Sequence, residues 1–547
     1  MISPRLSALL LLACLAPAAW AQTPRQKAWE LLQTGQELVR AAKYDEAERV
    51  FLQARDLDPE YPEVYANLGY VYAEQGDRAR ALDAYGRLLM LKPDDGYGRA
   101  AFKRLFYDGQ FPRSLRPQDL AASPVAFTRD EVRFLTPAGE ERQEIAYTTS
   151  LLFHEDMKRG GGPVKVPLPV TGNQAECEVN RSVYGFMGMP GTDRLTQAFA
   201  LSFPSATISG AGKDYQAVAG NLVHLLLRFA LYARAHLGFA LPAALPVEAT
   251  MCEQGPTGAE SYQDSLYFYD IARDRPAVEW ARQAAHEMGH LILPQIGRFS
   301  RPEAFASGFL GERLFLQYLA LEAGLVAGEA WPAPAAQQAL AGLWAGDKLA
   351  VQEYIVANCR TSLDYWAAAG PDAPLATGTA EDGMQYFIGF IMWVQAAYGT
   401  EALQATLKGA TGTAPADFRV AFQTALIEQA RDGALFVDAG SLNVPASKLA
   451  QKPTEGALGR TGVQVSPGDQ VAFHVYLPEG AWTLQTEPVA SGVSITLDGR
   501  GPLPLDEAEG VTLGRLADGW HTLALQLDEG TGPLALTRLV FRRAPEA

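Results

Sequence analysis

Only seven histidines occur in the 547 residues of this chain, yet two of them, His286 and His290, stand four positions apart in "WARQAAHEMGHLILP", and Glu287 directly follows the first. On a helix such a pair projects from one face, about 40° apart in projection. Both imidazoles can therefore reach one cation. Zinc takes neutral imidazole nitrogens at about 2 Å, and a helix holds two of them with no loop to order. A carboxylate next to the first ligand can reach a water polarised by the cation without ligating the cation itself. The residue types thus point to His286 and His290 as metal ligands and Glu287 as a general base. The competing reading, a chance match on a solvated helix, is disfavoured by how scarce histidine is in this composition.

The element that must position these groups is a helix over 276–293. Pro276 suits a first turn and Pro294 a stop, with Ala277, Ala281, Ala284, Met288 and Leu291 as the apolar stripe. Gly289, inside the motif, costs about 1 kcal/mol relative to alanine. Its presence predicts another backbone passing close by, such as an edge strand over 264–271.

A third ligand is needed. Leu293 and Ile296 stand where a longer motif would continue with glycine and a third histidine. Among the acids that follow, Glu303 lies close behind His290, which leaves the chain a short path to return, and Glu322 is more distant. Glu312 sits in "SGFLGERLFLQYL". There Phe309, Leu310, Glu312 and Leu314 resemble the third-ligand pattern of the gluzincin metallopeptidases, the thermolysin and aminopeptidase-like group. Arg313 and Phe315 replace that pattern's glycine and alanine. The resemblance extends upstream through "HLGFALP", "LPVEATM" and a second strand. Downstream it extends to "YFIGFIMWVQAAYGTEALQATL", where Gly399 would be a left-handed helix cap.

The resemblance implies an α+β zinc metallopeptidase region over 207–431, with Zn2+ held by His286, His290 and Glu312. Peptide hydrolysis also needs a donor for the developing oxyanion. By position in the resembled pattern that donor is Tyr386, with Tyr354 and Tyr365 as alternatives. The expected substrate is a peptide or protein. The alternative function is a cell-envelope binding or assembly protein that keeps the fold without turnover.

Around this region the chain reads as a multidomain α+β protein. Residues 28–95 repeat at a spacing of about 34: Gly35 recurs as Gly69, Ala47 as Ala81, Phe51 as Tyr85 and Pro59 as Pro93. The segment 22–107 therefore resembles tetratricopeptide repeats, helical hairpins that can hold a protein partner, with a helix over 98–106 as a cap. Residues 122–206 are strand-like and read as a possible N-lobe of the catalytic domain. Residues 432–460 read as a linker, and 461–547 as an accessory antiparallel β-sandwich containing Trp482 and Trp520.

The first 21 residues combine Arg5, a short apolar run and Ala19-Trp20-Ala21, which is the form of a secretory signal. The expected location is periplasmic, cell-envelope associated or secreted. Acylation at Cys14 is the alternative. No later run is long enough for a transmembrane helix. A net charge of -16 repels phosphate backbones, which excludes nucleic acid as the natural partner. Cys177, Cys252 and Cys359 remain after processing, enough for one bridge or none.

Overall fold

The computed structural model describes residues 23–92, 95–107, 114–120, 127–135, 141–152, 164–169, 176–188, 191–243, 245–262, 264–297, 299–300, 302–325, 354–370, 381–431, 433–439, 454–455, 461–506 and 509–544. The expected signal segment, Cys14 and most of the expected linker lie outside them. The chain forms two compact units, one of residues 1–126 and 152–162, the other of 127–151 and 163–547.

In the first unit, helices Pro24–Arg40 and Tyr44–Leu57 form one hairpin and Pro62–Glu74 and Arg78–Leu91 a second. Thr23 starts the first helix by accepting from the Gln26 amide, with Pro24 in the first turn. Each repeat seats an aromatic ring on a glycine. A Cβ at Gly35 would stand 2.2 Å from the Phe51 ring, and one at Gly69 2.8 Å from Tyr85. The helix Gly96–Tyr107 covers the second hairpin, burying Ala101 with Tyr85 and Leu88.

The second unit is built on a mixed sheet that runs Thr128–Leu135, Glu141–Leu152, Arg181–Gly188, Leu195–Phe203, Val247–Met251, Ser265–Tyr269, Gly258–Tyr262. Leu195–Phe203, Val247–Met251 and Ser265–Tyr269 are parallel neighbours, and Gly258–Tyr262 is an antiparallel edge. Strands from the 122–206 segment thus continue the same sheet as the strands before the histidine helix. Helix Gln216–Tyr232 is buried along most of its length. It approaches the sheet so closely that a Cβ at Gly185 would meet Val223 at 2.6 Å.

A bridge joins Cys177 to Cys252 at the end of Val247–Met251, and Cys359 is free and buried. Gly399, with φ 85° and ψ -179°, is non-helical and separates two helices within Glu381–Gly409; its positive φ is that of a helix-ending glycine.

The C-terminal strands form antiparallel sheets, one ordered Gln470–Leu477, Gly519–Leu527, Val493–Leu497, Arg500–Pro504 and another Ala434–Asp438, Arg538–Arg543, Gly480–Glu487, Val511–Leu516. Ala434–Asp438 falls in the stretch expected to be linker, yet it is a paired strand of this module. Trp482 is fully buried. Trp520 packs 5.9 Å from Trp366, 5.3 Å from Trp393 and 5.8 Å from Phe422, so these strands share a core with the helices instead of hanging from them as a separate accessory domain.

Candidate metal centre

The motif helix spans Ala277–Ile292, with Pro276 as its extended N-cap. Ala281, Ala284 and Met288 are buried as the apolar stripe requires. Gly289 does meet a foreign backbone, but it is that of the next helix, Ser307–Leu325, and not the expected edge strand. A Cβ at Gly289 would lie 2.4 Å from the Ser307 carbonyl oxygen, and one at Gly311 2.7 Å from the Gly289 Cα. This crossing sets Gly308 over the imidazoles: its Cβ would stand 2.4 Å from His290 Nε2 and 2.6 Å from His286 Nε2.

Between the helices the chain reverses through a bridge of Gly297 with Phe305, an amide of Ala306 donating to Ile296 at 2.8 Å, and an amide of Gly297 donating to Thr413 at 2.9 Å. The short path that counted against Glu303 is therefore a tight reversal that delivers it. Glu303 Oε2 lies 3.2 Å from His286 Nε2 and 3.4 Å from His290 Nε2. Among the described residues, His286, His290 and Glu303 offer ligand atoms all within 4.8 Å of one another.

Glu312, the expected ligand, is on the other side of the ring. Its Oε2 is 3.0 Å from His286 Nδ1, and its Oε1 accepts from the Tyr354 hydroxyl, with Arg282 Nε at 3.8 Å. An imidazole presents one nitrogen to a cation while the other carries the proton, so Glu303 and Glu312 cannot both share a cation with His286. Glu312, expected as the third ligand, thus stands at Nδ1, and Glu303 stands where both Nε2 atoms point. Ser307 Oγ stands 3.0 Å from His290 Nδ1 in the matching position. Both Nδ1 atoms are thus engaged, and both Nε2 atoms face Glu303.

Tyr386 lies on Glu381–Gly409. Its hydroxyl donates to the Gly370 carbonyl at 2.9 Å and receives Arg419 at 3.2 Å, and its ring packs on Trp366. Tyr365 is exposed, and the side chain of Glu322 lies outside the described residues. Among the described residues, Tyr354 hydrogen-bonds Glu312, which in turn contacts His286. Burial and then the Glu312 charge push its phenol pKa well up, which keeps it a donor.

Glu287 is 5% exposed. Burial raises its pKa, against the pull of His286 and His290 and a hydrogen bond with Ser261 on the edge strand. Burial alone would drive His286 toward its neutral form. Hydrogen bonds with Glu303 and Glu312 outweigh it and push the pKa up to about 10. Burial would likewise raise Glu303, but the two imidazoles bring it down to about 2.

The donor set fits zinc. Ligand atoms about 2 Å from a tetrahedral ion stand about 3.3 Å apart, close to the two separations from Glu303. Gly308 leaves open the space beside both Nε2 atoms that a side chain would fill. Ser261, Ser307 and Gly308 were not legible as site residues, because a serine-glycine pair at a helix start reads as an ordinary N-terminus.

Residues 32–96 match the tetratricopeptide repeat family. The N-terminal hairpins are therefore tetratricopeptide repeats, a fold associated with protein-protein interaction. No curated protein matches the chain. No helix among the described residues is long and apolar enough to cross a membrane.

Proposed function

We propose that this chain is an exported zinc-dependent peptidase in which His286, His290 and Glu303 would hold the cation. The observation that carries the reading is the single Glu303 oxygen 3.2 Å and 3.4 Å from two imidazole Nε2 atoms. When bound, zinc would supply Lewis-acid polarisation of a scissile carbonyl and of a water. Glu287 is the general base. Its burial makes it a stronger base than an exposed carboxylate, and Ser261 orients it. It takes a proton from the attacking water and returns it to the leaving amine nitrogen. The resemblance to gluzincins and the edge strand Gly258–Tyr262 beside the motif helix support this reading.

The Cys177–Cys252 bridge fits an oxidising compartment and supports export. The tetratricopeptide match supports a protein partner, and it also favours the second reading, partner capture without turnover.

Metal analysis of the purified full chain, with cleavage of a peptide mixture by wild type and Glu287→Gln, tests the proposal. One zinc per chain is expected in both, with cleavage slowed about 10²–10⁴-fold in the variant. Absence of stoichiometric zinc, or equal cleavage by both proteins, would overturn it. Tight capture of an intact, uncut partner by zinc-free protein would favour the second reading.

A further inference from the structure

We infer that Tyr354 is a positioning residue for this site: through the Glu312 carboxylate it fixes the His286 ring with Nε2 facing Glu303. The inference rests on the reading of the metal centre above. Glu312 is 4% exposed, and a buried carboxylate needs donors on its oxygens. One donor is His286 Nδ1 at 3.0 Å and the other the Tyr354 hydroxyl. With Glu312 held on one oxygen by the Tyr354 hydroxyl, its other oxygen faces Nδ1 as an acceptor, and the inferred tautomer has Nδ1 donating to it. That leaves the Nε2 lone pair for the cation.

Tyr354 is itself held. It immediately precedes a wide helical turn, Ile355–Cys359, of the kind that tends to occur at functional sites. Asn358 Nδ2 donates to the Tyr354 carbonyl at 3.1 Å, and Cys359 Sγ donates at 3.8 Å to the carbonyl of Arg313, the residue after Glu312. The turn is thereby tied to the helix that carries Glu312. Phe309 packs edge-on to the His286 ring with centroids 4.7 Å apart and limits its tilt. Removing the phenol hydroxyl leaves that carboxylate oxygen only the exposed Arg282 at 3.8 Å, so Glu312 is less firmly held and His286 loses its fixed orientation.

The test uses the full-length protein as wild type, Tyr354→Phe, Glu312→Gln, the double variant and Glu303→Gln. Zinc affinity is read by chelator competition, and coordination by the absorption spectrum of the Co2+ form. Glu312→Gln should bind one ion with the wild-type spectrum but about 10–100-fold more weakly. Tyr354→Phe should lose up to about tenfold, and in the Glu312→Gln background it should add nothing further. Glu303→Gln should change the spectrum.

Wild-type affinity in Tyr354→Phe, or a loss undiminished in the double variant, would overturn the inference while leaving the metal centre standing. A spectrum altered by Glu312→Gln as by Glu303→Gln would make Glu312 a ligand and overturn the inference together with the ligand set it rests on. If wild type takes up no metal, the underlying reading fails and the inference fails with it. Should Tyr354→Phe not fold, the Glu312→Gln spectrum and affinity still decide the role of the carboxylate.

Discussion

Glycine permits close approach in two regions of this molecule, and what approaches differs. In the tetratricopeptide hairpins, Gly35 and Gly69 receive the rings of Phe51 and Tyr85 from the second helix of the same hairpin. Beside the candidate metal centre, Gly289 and Gly311 receive the backbone of another helix, and Gly308 receives two imidazole tips. A ring can be trimmed or can turn; a carbonyl oxygen in a packed helix cannot. Close approach in the repeats is thus a local matter of filling, whereas at the centre it sets where whole helices, and the groups they carry, come to rest.

The largest effect expected from this contrast is at Gly308. Gly308→Ala puts a methyl 2.4 Å and 2.6 Å from the two Nε2 atoms, and zinc affinity should fall on the order of a hundredfold or more. Unchanged affinity by chelator competition would show that the imidazoles do not meet a cation there. Next is Gly289→Ala, which meets the Ser307 oxygen at 2.4 Å and should lower stability by about 1–3 kcal/mol.

Gly35→Ala should cost a comparable or smaller amount, since the ring it meets at 2.2 Å can move. Adding Phe51→Leu should recover part of that loss while leaving zinc content unchanged. Hydrogen exchange over residues 24–91 measures it, and recovery absent in the repeats would erase the distinction between the regions.

The smallest effect concerns pH in the chelated, metal-free protein. His286, at about 10 against an ordinary 6.5, contributes stability that is complete below about pH 6.5 and lost as pH rises through about 10. Glu303, at about 2 against 4.5, contributes stability that is complete above about pH 4.5 and lost as pH falls through about 2. Both contributions are full between about pH 4.5 and 6.5, where the thermal midpoint of the metal-free protein should be highest. Zinc should flatten the alkaline side, because binding takes the place of the Nε2 proton. A metal-free midpoint that climbs steadily from pH 6.5 to 9 would contradict the ion pair between Glu303 and the imidazoles.

Much of the fold was readable because it is local. Alternation and turn residues marked the sheet strands, and the repeat spacing marked the hairpins. The strand Ala434–Asp438 was missed because its partner, Arg538–Arg543, lies about a hundred residues onward. The packing of Trp520 on Trp366 and Trp393 was not legible, because nothing near Trp520 in sequence announces either ring. At the centre, the pattern that selected Glu312 found a carboxylate in contact with His286, but at the other ring nitrogen.

By itself the sequence determined that His286, Glu287 and His290 share one turn of helix, since that follows from helical pitch alone. It likewise determined the repeated glycine-aromatic pairs, whose partners lie within one hairpin. Only the tertiary structure decided which acid faces both Nε2 atoms. That choice depends on the Gly297–Phe305 reversal and the glycine-lined helix crossing, both set by contacts between backbone segments that residue spacing does not encode.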